Sequence, residues 1–203
     1  MILPHPRKKV HFMHIDFSAG RWSADMLTYA YSFRFEETPR FIQLPDCIQN
    51  RKDSSAPQEY DNVSIFAKES FGPGTTITTR CAFDSYGAPL ITIAEDLHTD
   101  SRGILRYGNY FEIVLYEHGI NVWRMRMQDG TVTWKKLLHL EFPVCAMEIH
   151  TLSVRVEKDV LYIDADDRSM FLYVEDLYPR WYAGLNACEG VNRFYDLRIE
   201  KTL

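Results

Sequence analysis

The sequence contains 203 residues, of which 46% are hydrophobic and 25% are charged, and its formal net charge is -5. This balance is typical of one folded globular domain and excludes collagen-like, disordered and coiled-coil proteins. The excess of acidic residues argues against a nucleic-acid partner held through its phosphates. The longest apolar runs are too short to span a bilayer, so no membrane partner is expected.

The N-terminal residues and the cysteines bear on the cellular compartment. Residues 1–10 contain two prolines and a basic cluster with no apolar stretch behind them, which is not the pattern of a secretory signal. We therefore expect a cytoplasmic protein, unless a signal has been removed from the chain. The four cysteines form no CxxC pair, so the sequence predicts neither a zinc site nor a disulfide framework.

The chain changes character after residue 62. Residues 1–62 are irregular, with a predicted strand at residues 12–17 and a polar loop at residues 49–60, and we expect them to wrap around the rest. Beyond them, short alternating segments follow one another between turn signals, at residues 63–69, 75–83, 89–95, 110–117, 120–127, 131–138, 150–157, 160–165, 181–187 and 192–200. This spacing predicts an all-β sandwich or barrel, as one domain over residues 1–203 with its main part at residues 63–200.

Two hairpins determine which side chains of the central strands share a face. A two-residue loop at residues 118–119 joins the first two strands, and an Asp-Gly dipeptide at residues 129–130, the stronger signal, joins the next two. The predicted cross-strand pairs include Tyr116 with Asn121, Glu112 with Met125, Met125 with Trp134, and Trp123 with Lys136. Since successive side chains alternate between faces, these registers assign each residue to one of two faces.

One of these faces is apolar and the other is mixed. The apolar, predicted core face carries Phe111, Ile113, Leu115, Ile120 and Val122. The mixed face carries Tyr110, Glu112, Val114, Tyr116, Asn121, Trp123, Met125, Met127, Trp134 and Lys136. Aromatic planes next to an amide, a carboxylate and an amine suit a sugar, which presents C–H faces ringed by hydroxyls. The alternative is that another sheet or the N-terminal segment covers the tryptophans, and a one-residue slip would exchange the faces.

Several stretches resemble a known superfamily in their order along the chain. They are Gly74-Thr75-Thr76-Ile77-Thr78, Gly87-Ala88-Pro89-Leu90-Ile91, Tyr107-Gly108-Asn109-Tyr110-Phe111, Gly119-Ile120-Asn121-Val122-Trp123, Tyr182-Ala183-Gly184-Leu185-Asn186 and Phe194-Tyr195-Asp196-Leu197-Arg198. The order resembles concanavalin A-like lectin/glucanase domains, including laminin-G-like modules and the 3-keto-disaccharide hydrolase type. The resemblance implies a jelly-roll β-sandwich of two antiparallel sheets, with a concave sheet that often holds glycans.

The resemblance also bears on metal binding and catalysis. The resemblance implies that the protein can hold a structural Ca²⁺, with Asp196 of the last strand as a ligand. No cofactor is expected to be required. The glucanase members carry Glu-x-Asp-x-Glu on one strand, and this sequence lacks that motif. Glu112 alone points to the mixed face, so a glycosidase of atypical design would pair it with His98 or Glu189.

Three functions follow from these residues. The leading hypothesis is recognition of a carbohydrate ligand by the mixed face, with contributions from Arg80, which can clamp a carboxylated sugar, and from the polar loop residues Asn186 and Glu189. The second hypothesis is the atypical glycoside hydrolase, and whether the chain is an enzyme stays open. The third is a structural or protein-interaction sandwich whose mixed face packs against a partner or a second copy, as a homo-oligomer.

Overall fold

The computed structural model describes residues 10–51, 62–129 and 131–202, and the regular structure within these ranges is entirely β-strand. The strands are β1 (Val10–Asp16), β2 (Leu27–Tyr29), β3 (Tyr31–Ser32), β4 (Ile42–Gln43), β5 (Ile48–Gln49), β6 (Val63–Phe71), β7 (Thr75–Ala94), β8 (Leu97–Thr99), β9 (Leu105–Tyr107), β10 (Tyr110–Tyr116), β11 (Gly119–Gln128), β12 (Thr131–Glu141), β13 (His150–Val156), β14 (Val160–Ala165), β15 (Arg168–Tyr173), β16 (Trp181–Phe194) and β17 (Asp196–Thr202). No helix long and apolar enough to cross a membrane occurs in the described ranges.

The long strand β7 belongs to two antiparallel sheets. Residues 75–81 pair with β13 on one side, and residues 75–78 pair with β17 on the other, which gives a first sheet in the order β1-β17-β7-β13-β14-β15. Residues 90–94 pair with β10 and β16, which gives a second sheet in the order β2-β6-β16-β7-β10-β11-β12. This all-β arrangement confirms the predicted jelly-roll sandwich of antiparallel sheets.

The main core lies between the two sheets. The predicted apolar face of β10 and β11 is buried there in full, from Phe111 to Val122. The facing strand β13 alternates strictly, with Leu152, Val154 and Val156 buried and the residues between them more exposed. Each fully buried aliphatic or phenyl side chain contributes about 1.5–3 kcal/mol, so this alternation fixes which side of each strand points inward.

The second predicted hairpin is confirmed and the first is displaced. Strands β11 and β12 pair as expected, with Trp123 opposite Lys136 and Gln128 opposite Thr131. Strands β10 and β11, however, close over residues 117–118 rather than 118–119, and Glu112 lies opposite Trp123. The predicted register was therefore wrong by two residues, and because two is even, every side chain keeps its predicted face.

Gly119 explains the displaced turn. The residue is part of β11 and pairs with Tyr116 on one side and Glu141 on the other, so it is not available as a loop residue. Its φ of 127° is favourable for glycine, and a Cβ at this position would overlap the carbonyl oxygen of Leu140. The glycine that looked like a turn signal therefore permits close approach of two neighbouring strands.

The N-terminal part of the chain contributes an edge and a cover. Strand β1 pairs with β17 along its whole length and forms one edge of the first sheet. Residues 30–35 and the small sheet β3-β9-β8 lie against the far side of the second sheet, where Ala30 and Tyr107 pack on Phe66, Tyr110 and Met125. The predicted polar loop at residues 49–60 falls mostly outside the described residues.

Candidate functional site

The second sheet has an outer face, defined here as the side that points away from the main core. Cross-strand partners on that face form rows, because directly opposed residues project to the same side. One row runs from Thr92 on β7 through Glu112 and Trp123 to Lys136 on β12. The predicted mixed face is thus assembled in one place, and Glu112 and Trp123 share it.

Two indole rings mark the exposed part of this face. The ring centroids of Trp123 and Trp134 lie 6.4 Å apart, with the planes at 80°. Trp134 is 37% exposed, and Trp123 is half-buried. Tyr110 supports Trp134 from below in an edge-on contact with 5.8 Å between the centroids. We call Trp123 and Trp134 the indole pair.

A cation lies over each ring of the indole pair. The Lys136 Nζ lies 4.8 Å from the centroid of Trp123, and the Arg34 guanidinium lies 4.5 Å from that of Trp134. In the described part of the chain, neither cation has a carboxylate within ion-pair distance. Cation–π contact of this kind is worth about 0.5–1 kcal/mol at exposed sites, so a ligand can displace or recruit either group.

Glu112 lies at the base of the indole pair and is 9% exposed. Burial raises the pKa of its carboxyl from the usual 4.5 to about 7, the Arg34 guanidinium opposes this rise, and the Glu189 carboxylate adds to it. Near neutral pH the group therefore exists in both protonation states and can donate or accept a hydrogen bond.

Polar groups beside Glu112 retain unused hydrogen-bonding capacity. The Asn186 amide donates to the Tyr107 hydroxyl at 3.2 Å, and that hydroxyl also lies 3.0 Å from the Ser64 hydroxyl. The Asn186 Oδ1 and the Thr92 Oγ1 are buried and have no hydrogen-bond partner among the described residues. Asn186, predicted as an exposed loop ligand, instead lies beneath Tyr107 and is 1% exposed.

The rim of the site includes a histidine that the sequence did not reveal. The His139 Nδ1 lies 2.7 Å from the Asn121 Oδ1, its Nε2 lies 3.0 Å from a Glu141 carboxylate oxygen, and the Tyr116 hydroxyl is 3.5 Å away. A β-bulge between Val122 and Trp123 leaves Leu137 without a cross-strand partner. The extra residue shifts His139 onto the outer face, which a strict period of two does not predict.

Tyr110 is covered and is not an exposed ligand platform. Residues 30–35 lie over it, its hydroxyl is 3.4 Å from the Ser32 hydroxyl, and the side chain is fully buried. The alternative raised from the sequence, that the N-terminal segment covers this face, thus holds for Tyr110 and Met125. It does not hold for the indole pair, because both rings keep accessible surface although Arg34 of the segment lies over Trp134.

Arg80 and Asp196 lie on the first sheet, away from the outer face. Asp196 is 1% exposed, accepts hydrogen bonds from the Arg80 backbone N–H at 2.8 Å and its Nε at 2.9 Å, and also pairs with Arg198 at 3.0 Å. In this structure Arg80 neutralises a buried carboxylate, and Asp196 accepts from two guanidiniums.

His98 and Glu189, the two predicted partners of Glu112, differ in their position. His98 lies opposite Arg106 in the β8–β9 pair, on the side away from Tyr107 and the second sheet, and its Nδ1 contacts Asp96 at 2.8 Å. The carboxylate that His98 contacts is therefore that of Asp96. Glu189 is exposed and acts electrostatically on Glu112. In the described ranges, no group of three or more His, Cys, Asp or Glu side chains could hold a metal ion.

The fold is shared with solved structures of low sequence similarity. The sequence matches no protein-family profile and no curated protein. The chain is similar to the beta-agarase B of Zobellia galactanivorans, with a TM-score of 0.69 and 8% identity over 98% of this chain and 95% of that one. It is also similar to the kappa-carrageenase of Pseudoalteromonas carrageenovora, with a TM-score of 0.62 and 11% identity over the full length of both.

A third similar structure is the carbohydrate-binding module CBM66 from Bacillus subtilis, with a TM-score of 0.59 and 14% identity over 83% of this chain and 91% of that one. At these identities the likeness concerns the backbone architecture. The chain has the concanavalin A-like jelly-roll fold that the sequence resemblance implied.

Proposed function

We propose that this protein binds a carbohydrate on the outer face of the second sheet, with the indole pair as the stacking surface. The observation that carries the proposal is the placement of Trp123 and Trp134 side by side at the boundary of the covered region, where both keep solvent-accessible surface. Large aromatic side chains normally gain most by full burial, and two adjacent ones left accessible indicate a ligand surface.

The polar groups around the indole pair suit sugar hydroxyls. Asn121 and His139 supply an amide and an imidazole on one side, and Lys136 supplies three donors on the other. Glu112 at the base adds a carboxyl that both donates and accepts near neutral pH. A sugar whose C–H face stacks on an indole ring places its ring hydroxyls outward, toward groups of this kind.

The structural comparisons support the same class of ligand. A carbohydrate-binding module, a carrageenase bound to an oligosaccharide of kappa-carrageenan, and an agarase bound to agaro-octaose share this architecture. The ligands were bound by those other proteins, and they favour oligosaccharides as the first class of ligand to test on this chain.

A second candidate function, glycoside hydrolysis, is favoured by one observation. Glu112 is a buried carboxyl with a pKa of about 7 next to the proposed sugar surface, which suits a general acid. The residues two and four positions further along β10 are Val114 and Tyr116, so the second carboxyl would have to be Glu189. Turnover that disappears in Glu112→Gln while binding persists would support this function, and binding without turnover on any glycan would exclude it.

The test of the proposal is a binding titration against a panel of neutral and acidic oligosaccharides, followed by tryptophan fluorescence and by calorimetry. We expect saturable binding that falls at least about tenfold in the Trp123→Ala, Trp134→Ala double variant. The reason is that each sugar ring stacked on an indole ring contributes on the order of 1 kcal/mol or more. The matched control is Phe171→Ala on β15, which removes an aromatic ring that is 70% exposed on the first sheet. Equal loss in the control, or undiminished binding in the double variant, would contradict the assigned face.

A further inference from the structure

A pocket of about 470 Å³ lies at the β2 edge of the second sheet and shares no residue with the indole-pair site. Its walls come from β2, from residues 38–40, from Lys68 of β6 and from the β8–β9 hairpin. Its volume falls within the range of small-molecule sites in proteins. Residues 30–35 lie next to both places, with Tyr31 lining the pocket and Arg34 over Trp134.

The pocket is cationic in a protein of net negative charge. Arg40 and Lys68 line it, and none of its lining residues is acidic. No carboxylate of the described residues lies within ion-pair distance of either cation. Two cations that face one concave space without a carboxylate partner raise the local potential there and favour an anion.

The remaining polar groups of the pocket are neutral. Thr28 and Thr38 line it, and burial raises the pKa of Tyr29 and of Tyr31, so both phenols stay uncharged. The Tyr31 hydroxyl donates to the Pro39 carbonyl at 2.9 Å and holds residues 38–40 in place. The guanidinium of Arg40 is further positioned 5.1 Å from the centroid of the Tyr29 ring.

We propose that this pocket binds a small hydroxylated molecule carrying one oxyanion, a carboxylate or a sulfate, which Arg40 and Lys68 neutralise together. The planar fork of Arg40 matches the two oxygens of such a group, and Lys68 adds a point charge. Thr28, Thr38 and the partly buried Leu105 contact the body of the ligand. This site is independent of the proposed carbohydrate surface, and either one can exist without the other.

The experiment measures binding of sodium glucuronate, sodium sulfate and glucose to the whole chain by amide chemical shifts and calorimetry. We expect glucuronate to bind saturably, to shift residues 28, 40, 68 and 104, and to weaken as ionic strength rises, while glucose does not bind there. Sulfate that displaces glucuronate identifies the oxyanion as the shared determinant, and sulfate binding alone would reduce the site to an inorganic anion site and overturn the hydroxylated ligand.

The variants test the two cations. In Arg40→Gln, Lys68→Gln the affinity for glucuronate should fall about tenfold or more, the change expected for loss of about 1.4 kcal/mol. The matched control Lys158→Gln, Arg168→Gln removes the same two charge types at exposed positions outside the pocket and should bind as the parent does. Lys68→Arg should retain binding. No saturable binding at millimolar glucuronate, or equal affinity in the pocket variant and the control, would overturn the proposal.

The indole-pair variant separates this inference from the proposed function. Trp123→Ala, Trp134→Ala leaves the pocket intact and should keep full glucuronate affinity. Arg40→Gln, Lys68→Gln should keep oligosaccharide binding on the outer face. Loss of glucuronate binding in the indole-pair variant would show that glucuronate binds at the indole pair and not in the cationic pocket.

Discussion

Glu112 and Trp123 lie directly opposite each other on β10 and β11, and both side chains leave the sheet on its outer face. A carboxyl placed next to an indole ring at the base of a covered sheet loses most of its hydration. The position explains why the pKa of Glu112 rises to about 7 with burial as the leading cause. It also makes the protonation of this one residue measurable in the stability of the whole protein.

The pH dependence of stability should carry the signature of Glu112. Between about pH 4.5 and 7 the unfolded chain has lost this proton while the folded protein retains it, so the folded state binds more protons. The free energy of unfolding should therefore fall as pH rises through this window and level off above it. At pH 8, Glu112→Gln should be more stable than the parent by about 3 kcal/mol, and at pH 4 the two should agree. Urea unfolding at five pH values measures this, and parallel profiles would contradict it.

Arg34 should set the position of that pH window. Its guanidinium is the positive charge that acts on Glu112 within the described residues, and it lowers the pKa of that carboxyl. Arg34→Ala raises only the folded-state pKa of Glu112, so the fall in stability should extend to higher pH, whereas Arg34→Lys should keep most of the original profile. The same urea series on the two variants checks this, with Lys158→Gln as a control for the loss of one exposed positive charge. An unchanged midpoint in Arg34→Ala would show that the two groups do not interact.

Gly190 should tolerate substitution far less well than Gly103. Both glycines have positive φ, 67° and 80°, but a Cβ at Gly190 would overlap the Tyr86 carbonyl oxygen, whereas Gly103 has open space around it. Gly103→Ala should therefore cost about 1 kcal/mol from backbone strain alone. Gly190→Ala should cost about 3 kcal/mol, because the clash forces the β7 and β16 backbones apart. Thermal unfolding of both variants measures the difference, and equal losses would show that the backbones yield.

Asp196→Asn should destabilise the protein more than removal of an exposed ion pair. Asp196 is buried and accepts from both Arg80 and Arg198, so the neutral amide would leave donors of the two guanidiniums poorly paired. We expect a loss of about 2 kcal/mol, moderated by the partial exposure of both arginines. Glu157→Gln, which breaks the exposed pair with Arg155, should cost no more than about 0.5 kcal/mol. Chemical denaturation compares them, and similar values would contradict the difference in burial.

Side-chain parity was predictable from the sequence because it depends on a local rule. Alternation placed Phe111 and Val122 inward and Glu112 and Trp123 outward, and a register error of two residues left both assignments intact. His139 could not be found in this way, because the extra residue Leu137 changes the parity of β12 partway along the strand. The amino-acid sequence of this strand does not indicate where the β-bulge occurs.

Contacts between distant segments account for what sequence reasoning missed. Arg34 lies in an irregular segment with no periodicity, so only the folded chain brings it over Trp134. Tyr110 is buried by the same segment, and its burial depends on where residues 30–35 cross the sheet. Arg80 and Asp196 looked like independent ligand candidates, and the adjacency of β7 and β17 joins them.

The stretch from residue 30 to residue 41 serves both proposed sites. It brings Tyr31 and Arg40 to the cationic pocket and Arg34 to the indole pair, and Arg106 holds it through the Ser32 and Phe35 carbonyls at 3.2 and 2.6 Å. Occupants of the two sites therefore act on a common piece of chain. If an anion in the pocket changes the affinity for an oligosaccharide by some factor, linkage requires the oligosaccharide to change the affinity for the anion by the same factor.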